Sequence, residues 1–409
     1  MPAGMPSVSD LTREILSGES FVWEKSKPLQ LKTAAERLGP RIVLPEFYGE
    51  SDDAGWNEHV RPILLLLSWL NVQAERRYAS WPGRKVNYED MAYLAEQLFD
   101  DLSDNYENPA LIPFREKALG ELSDLLVDTT WSTSSKNSRK EVLQELTGKA
   151  VDYIRYAVAL LLDQPAEGDK SAYLNLFVEA ASDPGVTNLD IFTLNHDRLV
   201  ESFFTKNAKH PCLADGFVKA EDGFRRWDPS SFDSEAKVRL YKLHGAANWH
   251  RFRPEGSQNP NNAWAGELIG IGSSPRYKAM GDPPLLLAGT FNKLLSYTEA
   301  AYLELHYRFH RALLESDHLI ICGYGFGDKG INQRIVERMT STRSCRLLVI
   351  DPSSFAGARG AIYGKLDGWR AEGRFVHWQN RLEDRQSVSW KKIRSDFLDC
   401  HLGSAHSGK

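Results

Sequence analysis

Three apolar runs, each stopping at polar or glycine residues and each followed by helical sequence, constrain this chain more than anything else in it. Leu240-Tyr241-Lys242-Leu243 ends in His244-Gly245, residues 189–194 end in Asn195-His196-Asp197, and His318-Leu319-Ile320-Ile321-Cys322 ends in a glycine-rich loop. Strands that alternate with crossover helices form a parallel sheet, and open parallel sheets take ligands outside the carboxyl ends of their strands. The three stops therefore define one cleft of nucleotide size, with a titratable imidazole aimed into it.

The same periodicity organises the rest of the chain. Strands are predicted at 190–194, 238–243, 285–288, 318–322, 346–350 and 375–378, and helices at 197–204, 299–315, 332–339 and 390–402. Upstream, 60–78, 88–102, 110–127, 139–162 and 172–181 carry apolar residues at three- and four-residue spacing, which predicts helix throughout. In 139–162 the series Val142, Leu146, Ala150, Tyr153, Ala157, Leu160 and Leu161 makes one apolar face. Polar joints fall at 129–138 and 163–170, and 228–234 and 253–263 read as surface loops. The amino-terminal part reads as a turn, a short helix over 10–16, a second helix over 32–39 and a short strand or loop edge at 41–44.

Composition removes several classes of function. A net charge of −5 argues against a dedicated nucleic-acid binder, whose footprint is basic, and Arg225-Arg226 and Arg84-Lys85 are small surface spots. The longest apolar run, 62–70, is far too short to span a bilayer, and no signal peptide opens the chain, so a cytoplasmic protein with no membrane partner is expected. The four cysteines, Cys212, Cys322, Cys345 and Cys400, are scattered without a C-x-x-C pair. That excludes a conventional zinc ribbon and fits a reducing compartment, with Cys322 and Cys345 expected in buried strands.

Gly323-Tyr324-Gly325-Phe326-Gly327-Asp328-Lys329-Gly330 contains a G-x-G-x-x-G between strand and helix, and the next strand ends in Asp351. Glycines let backbone approach a phosphate, a helix N-terminus favours its charge, and an acidic residue at the following strand end accepts from ribose hydroxyls. The plainer alternative is a tight turn with Asp328 as helix cap, just as Asp197 in Asn195-x-Asp197 serves equally as a cap. Trp249, Phe252 and Trp264 are candidates for a pocket wall or for core, and Asn292-Lys293 for cleft contact or a helix cap.

With Thr193-Leu194-Asn195-His196-Asp197, Lys242-Leu243-His244-Gly245 and Ile321-Cys322-Gly323-Tyr324-Gly325-Phe326-Gly327-Asp328 in place, the chain resembles the sirtuin-like family, and more specifically the bacterial sirtuin-like proteins of antiphage defence. Ala3-Gly4-Met5-Pro6-Ser7 resembles the segment just after the family's G-A-G-x-S loop, and Asn87-Tyr88-Glu89-Asp90 also recurs in these proteins. The resemblance covers 1–45 and 185–380. It implies a Rossmann-like parallel sheet of six strands whose first strand is missing from the α/β part in 1–50. The residue pattern itself predicts a helical subdomain over 51–184, inserted in or leaning on the α/β part, a main domain over 185–402 and a flexible tail over 403–409. A start placed downstream of the natural one is the expectation that goes with the missing strand.

The resemblance further implies NAD as substrate or ligand. His244 would be the general base and Asn195 would hold the nicotinamide ribose or the attacking water, while Asp197 would lie near the nicotinamide end. Thr193, Gly245, Gly323, Tyr324 and Gly325 would complete the nucleotide site, with Asp351 facing the adenosine ribose. Without a zinc ribbon, hydrolysis of NAD itself is favoured over deacylation. A non-enzymatic NAD or ADP-ribose sensor and a protein ADP-ribosyltransferase remain open, as do protein partners or self-assembly through the helices.

Overall fold

The computed structural model describes residues 5–22, 30–31, 55–81, 84–102, 108–127, 138–163, 171–206, 210–221, 223–255, 267–289, 293–298, 300–353, 362, 364–384 and 387–399. The readings at 32–39 and 41–44, and those of Ala3, Gly4, Trp264, Asn292 and Cys400, lie outside these residues.

The first half is helical. It comprises α1 (Val8–Ser17), the antiparallel pair β1 (Phe21–Val22) and β2 (Gln30–Leu31), α2 (Gly55–Tyr78), α3 (Tyr88–Leu102), α4 (Ile112–Glu121), α5 (Ser123–Val127), α6 (Arg139–Leu162) and α7 (Asn175–Ser182). Local chemistry sets the ends. Ser7 and Asp10 close a reciprocal capping box at the start of α1, Ser138 and Glu141 do the same for α6, and Gly18 ends α1 in the left-handed conformation at φ 65°. Val142, Leu146, Ala150, Tyr153 and Ala157 of the predicted face are buried in one cluster with α1, α2 and α3, while Leu160 and Leu161 are partly buried against it. The cluster continues into Ala247, Leu286 and Ala288, so the helices pack directly on the segments around His244.

The second half alternates as predicted, with additions. In order it contains β3 (Leu189–Thr193), α8 (Leu199–Thr205), β4 (Leu213–Ala214), β5 (Phe217–Glu221), β6 (Phe224–Trp227), β7 (Val238–Lys242), β8 (His250–Pro254), β9 (Leu268–Gly272) and β10 (Tyr277–Ala279). There follow α9 (Lys293–Ser296), α10 (Ala300–Glu315), β11 (His318–Cys322), α11 (Lys329–Ser341), β12 (Arg346–Ile350), α12 (Leu366–Ala371), β13 (Phe375–Trp378) and α13 (Trp390–Ile393), the last running into a wider turn at Arg394–Leu398.

Among the described residues the parallel strands form two three-stranded sheets, β3-β7-β4 and β11-β12-β13, rather than one continuous sheet of six. Both sheets share a core with α10 and α11, in which Tyr241, Leu243, Leu347 and Val349 meet Leu305, Phe309, Ile335 and Met339. Each such fully buried side chain contributes about 1.5–3 kcal/mol over its exposed state. β12 is buried at all five positions, as an internal parallel strand should be.

Two readings need correction. Residues 285–288 form no strand: Leu286 makes an isolated bridge to Gly245, and Leu285 and Leu287 N–H donate to Trp249 O and His244 O across the irregular turn after β7 rather than to a neighbouring strand. The region around the expected loop at 228–234 holds a separate antiparallel sheet, β10-β8-β9-β6-β5, and Pro229–Asp233 within that loop is a 3₁₀ turn whose Phe232 is buried in the shared core. Of the expected buried cysteines, Cys345 is buried just ahead of β12 and Cys322 is only partly buried in β11.

Candidate functional site

The parallel register of β3 and β7 pairs Thr193 with Lys242, so the residues that follow leave the sheet side by side. Leu243 N–H donates to Thr193 O at 3.0 Å, and Ala247 N–H donates to His196 O at 3.0 Å. The two turns are thereby laced together, placing the His196 and His244 rings 6.3 Å apart. Lys242, almost wholly buried, donates to Asp197 O and pairs with Glu201 Oε1 at 3.1 Å. It thus pins the β3–α8 turn to the end of β7.

His244 sits at the centre. Its Nε2 lies 3.1 Å from Tyr297 Oη and 3.3 Å from Asp328 Oδ2, and Tyr297 donates its hydroxyl to Asp328 Oδ2 at 2.8 Å. Asp328 Oδ1 accepts from Ile331 N–H at 3.0 Å, so the same carboxylate also caps α11. Nδ1 of His244 has no hydrogen-bond partner among the described residues and is not one of their fully buried unpaired atoms, so it faces accessible space.

Burial lowers the His244 pKa below the usual imidazole value, and Lys293 lowers it further, outweighing the pull of Asp328. Burial alone would raise Asp328, yet its hydrogen bonds with His244, Ile331 N–H and Tyr297 hold the carboxylate well below its ordinary range. The outcome is a neutral imidazole beside an ionised carboxylate. His196, fully enclosed, is pushed far down by burial and further by the Lys293 charge, and its Nδ1 lies 3.4 Å from Gly245 O.

Beside its apolar packing, the helical layer reaches this site through an ion pair. Glu89, in the first turn of α3, holds buried Lys293 of α9 at 2.7 Å, and α9 leads straight to Tyr297. This accounts for Asn87-Tyr88-Glu89-Asp90: Asn87 and Asp90 cap α3 while Glu89 anchors α9.

The loop after β11 starts with Gly323 N–H donating to Ile350 O at 3.0 Å. Gly323 has φ +63°, and a Cβ at Gly323, Gly325 or Gly327 would meet open space. Phe326 is fully buried at φ 54°, a strained conformation for a bulky residue, and Asn332 Nδ2 locks it by donating to Phe326 O at 2.8 Å. The Tyr324 hydroxyl turns back on the loop and on α11, lying 3.0 Å from Asp328 O and 2.8 Å from Asn332 Oδ1, between which it shares its one proton.

The remaining predicted residues divide by what their side chains do. Asn195 is exposed, and its side chain makes no hydrogen bond among the described residues. Thr193 accepts from Asn195 N–H at 3.1 Å, so it shapes the turn. Asp197 is buried and accepts from Leu199 N–H at 3.0 Å, the capping alternative. Asp351 is buried at the end of β12, accepts from Ser353 N–H at 2.7 Å, and through its charge helps burial raise the Cys322 thiol to about 12.

Gly245 owes its identity to the fold. At φ +74°, a Cβ there would fall 2.0 Å from Leu285 O, against the segment whose Leu287 N–H donates to His244 O at 2.9 Å. Gly245→Ala should therefore destabilise the protein by at least about 2 kcal/mol, through backbone strain and displacement of 285–288. Urea titration checks this; a change below roughly 0.5 kcal/mol would show that the segment yields freely.

Parallel strand ends carrying Asn195, His244 and a glycine loop are the geometry with which the comparison with known families agrees. Residues 190–355 match the SIR2-like domain. The matched SIR2-like segment spans β3 through the end of β12, and thus includes every predicted site residue. No curated protein matches the chain. Among the described residues no group of three or more histidine, cysteine or acidic side chains is placed to hold a metal, and no helix is long and apolar enough to cross a membrane.

Proposed function

We propose that this chain binds NAD and hydrolyses its nicotinamide glycosidic bond, in the setting of antiphage defence. The observation that carries the reading is His244: a buried imidazole at a strand end, held at Nε2 by Tyr297 and Asp328, with Nδ1 left without a hydrogen-bond partner among the described residues. In the reaction, water adds to the anomeric carbon of the nicotinamide ribose as the carbon–nitrogen bond breaks. Nicotinamide leaves with the bonding electron pair, and the proton of the attacking water passes to His244, giving ADP-ribose. A base neutral at operating pH suits that proton transfer, and Asn195, exposed on the adjoining turn, is suited to orient the ribose or the water. The open loop at Gly323 to Gly327 offers backbone to the phosphates, and Asp351 is assigned to the adenosine ribose. The helices over 51–184 are proposed as an inserted subdomain through which copies or partner proteins assemble.

The test is to incubate the purified full chain with NAD and to measure nicotinamide, ADP-ribose and bound NAD. Equal amounts of nicotinamide and free ADP-ribose support hydrolysis. Transfer of label to protein would make it a transferase, binding without turnover a sensor, and absence of binding would overturn the NAD reading.

A further inference from the structure

We propose that Asp328 and Tyr297 are the positioning residues of His244, fixing the imidazole as its Nε2–H tautomer so that Nδ1 is the nitrogen that takes the proton. This rests on the hydrolase reading for its consequence in turnover, but the tautomer can be measured without it.

The hydrogen-bond directions leave one consistent arrangement. Tyr297 donates its single proton to Asp328 Oδ2 at 2.8 Å, so toward His244 its oxygen can only accept. Asp328, ionised and bound to Ile331 N–H through Oδ1, likewise offers only an acceptor. Two acceptors at 3.1 and 3.3 Å face Nε2, which must therefore carry the proton. A neutral imidazole then has its lone pair on Nδ1, the atom facing accessible space.

The surroundings keep this pair in place. His306 stacks on Tyr297 with ring centroids 3.7 Å apart, and its own Nε2 lies 3.2 Å from Leu243 O, the residue before His244. Lys293, at the start of the short helix α9 that ends just before Tyr297, is tied to Glu89. Asp328 is held at the start of α11 by the buried Phe326 plug and by Tyr324 on its carbonyl. A base oriented by a third group in this way is the general form of a catalytic relay, and removing the orienting carboxylate misplaces the proton rather than the ring.

Asp328→Asn is the informative variant, because asparagine also caps helices and leaves α11 intact. Its oxygen stays with Ile331 N–H, which turns the NH₂ group toward Nε2 and forces that nitrogen to accept. Long-range proton–nitrogen NMR of His244 in the full chain should show the Nε2–H form in the parent and the Nδ1–H form in Asp328→Asn. Turnover of NAD should fall about a hundredfold or more in kcat with KM changed less than about threefold. Tyr297→Phe should keep the tautomer and lose about threefold to tenfold in kcat. If the parent cleaves no NAD, the hydrolase reading fails while the NMR still decides the tautomer. A parent in the Nδ1–H form, or an Asp328→Asn protein that keeps the Nε2–H form, overturns the assignment.

Discussion

His244→Ala is expected to lower the rate of nicotinamide release from NAD by a factor of about a hundred or more, the range usual for loss of a positioned general base. Burial and Lys293 hold the imidazole below its ordinary pKa, so the neutral, proton-accepting form prevails through neutral pH, and the acid limb of activity should lie below about 6.5. Asn195→Ala should lose turnover on a similar scale, through placement rather than protonation, and should therefore leave the position of that acid limb unchanged. Because His244→Ala also removes a buried side chain, circular dichroism and ligand-free unfolding must accompany the kinetics. A folded His244→Ala protein that releases nicotinamide at the parent rate would remove His244 from the chemistry and return the site to a binding role.

Much of this arrangement was legible from sequence because strand ends announce themselves. The run 238–243 and the stop at His244-Gly245 match β7 to within one residue, and 88–102 and 139–162 match α3 and α6 at both ends. Strong apolar periodicity with well-formed joints is the reason. The antiparallel sheet was not legible: its strands are short, Gly216 and Gly223 flank β5 as turn residues at positive φ, and Arg225-Arg226 inside β6 look like surface charge. The run at 285–288 is apolar like a strand, but it serves as a wall against Gly245 and its backbone bonds go to the turn after β7. The groups around His244 lay beyond reach for a different reason. Tyr297 is 53 residues from His244 and Glu89 is 204 from Lys293, so only the folded chain brings them together. Asp328 was recognised as a helix cap, which it is, but capping uses one carboxylate oxygen and leaves the other for the histidine.

The same buried histidines should make the fold acid-sensitive well above the carboxylate range. Burial is the first cause of lowered pKa at His196, His244, His250 and His306, with the last two brought to about 4 and about 3. In the unfolded chain each would titrate near 6.5. Between that value and the folded one the unfolded chain binds more protons, so stability is complete above about pH 6.5 and falls as pH drops, by up to about 1.4 kcal/mol per pH unit for each histidine. Asp152 acts in the opposite sense: burial raises it to about 6, so the folded chain holds a proton there that the unfolded chain gives up. That offsets roughly one histidine, and Glu96 and Asp190, also raised by burial, offset a smaller amount. The net loss should be about 2–4 kcal/mol per pH unit between roughly pH 6 and 5, a large part of the 5–15 kcal/mol typical of a folded domain. Urea unfolding at pH 7.5, 6.5, 5.5 and 5.0 measures it, and His250→Gln should reduce the slope by about 1 kcal/mol per pH unit. Stability that stays level down to about pH 5 would mean that these imidazoles accept protons without leaving their buried sites.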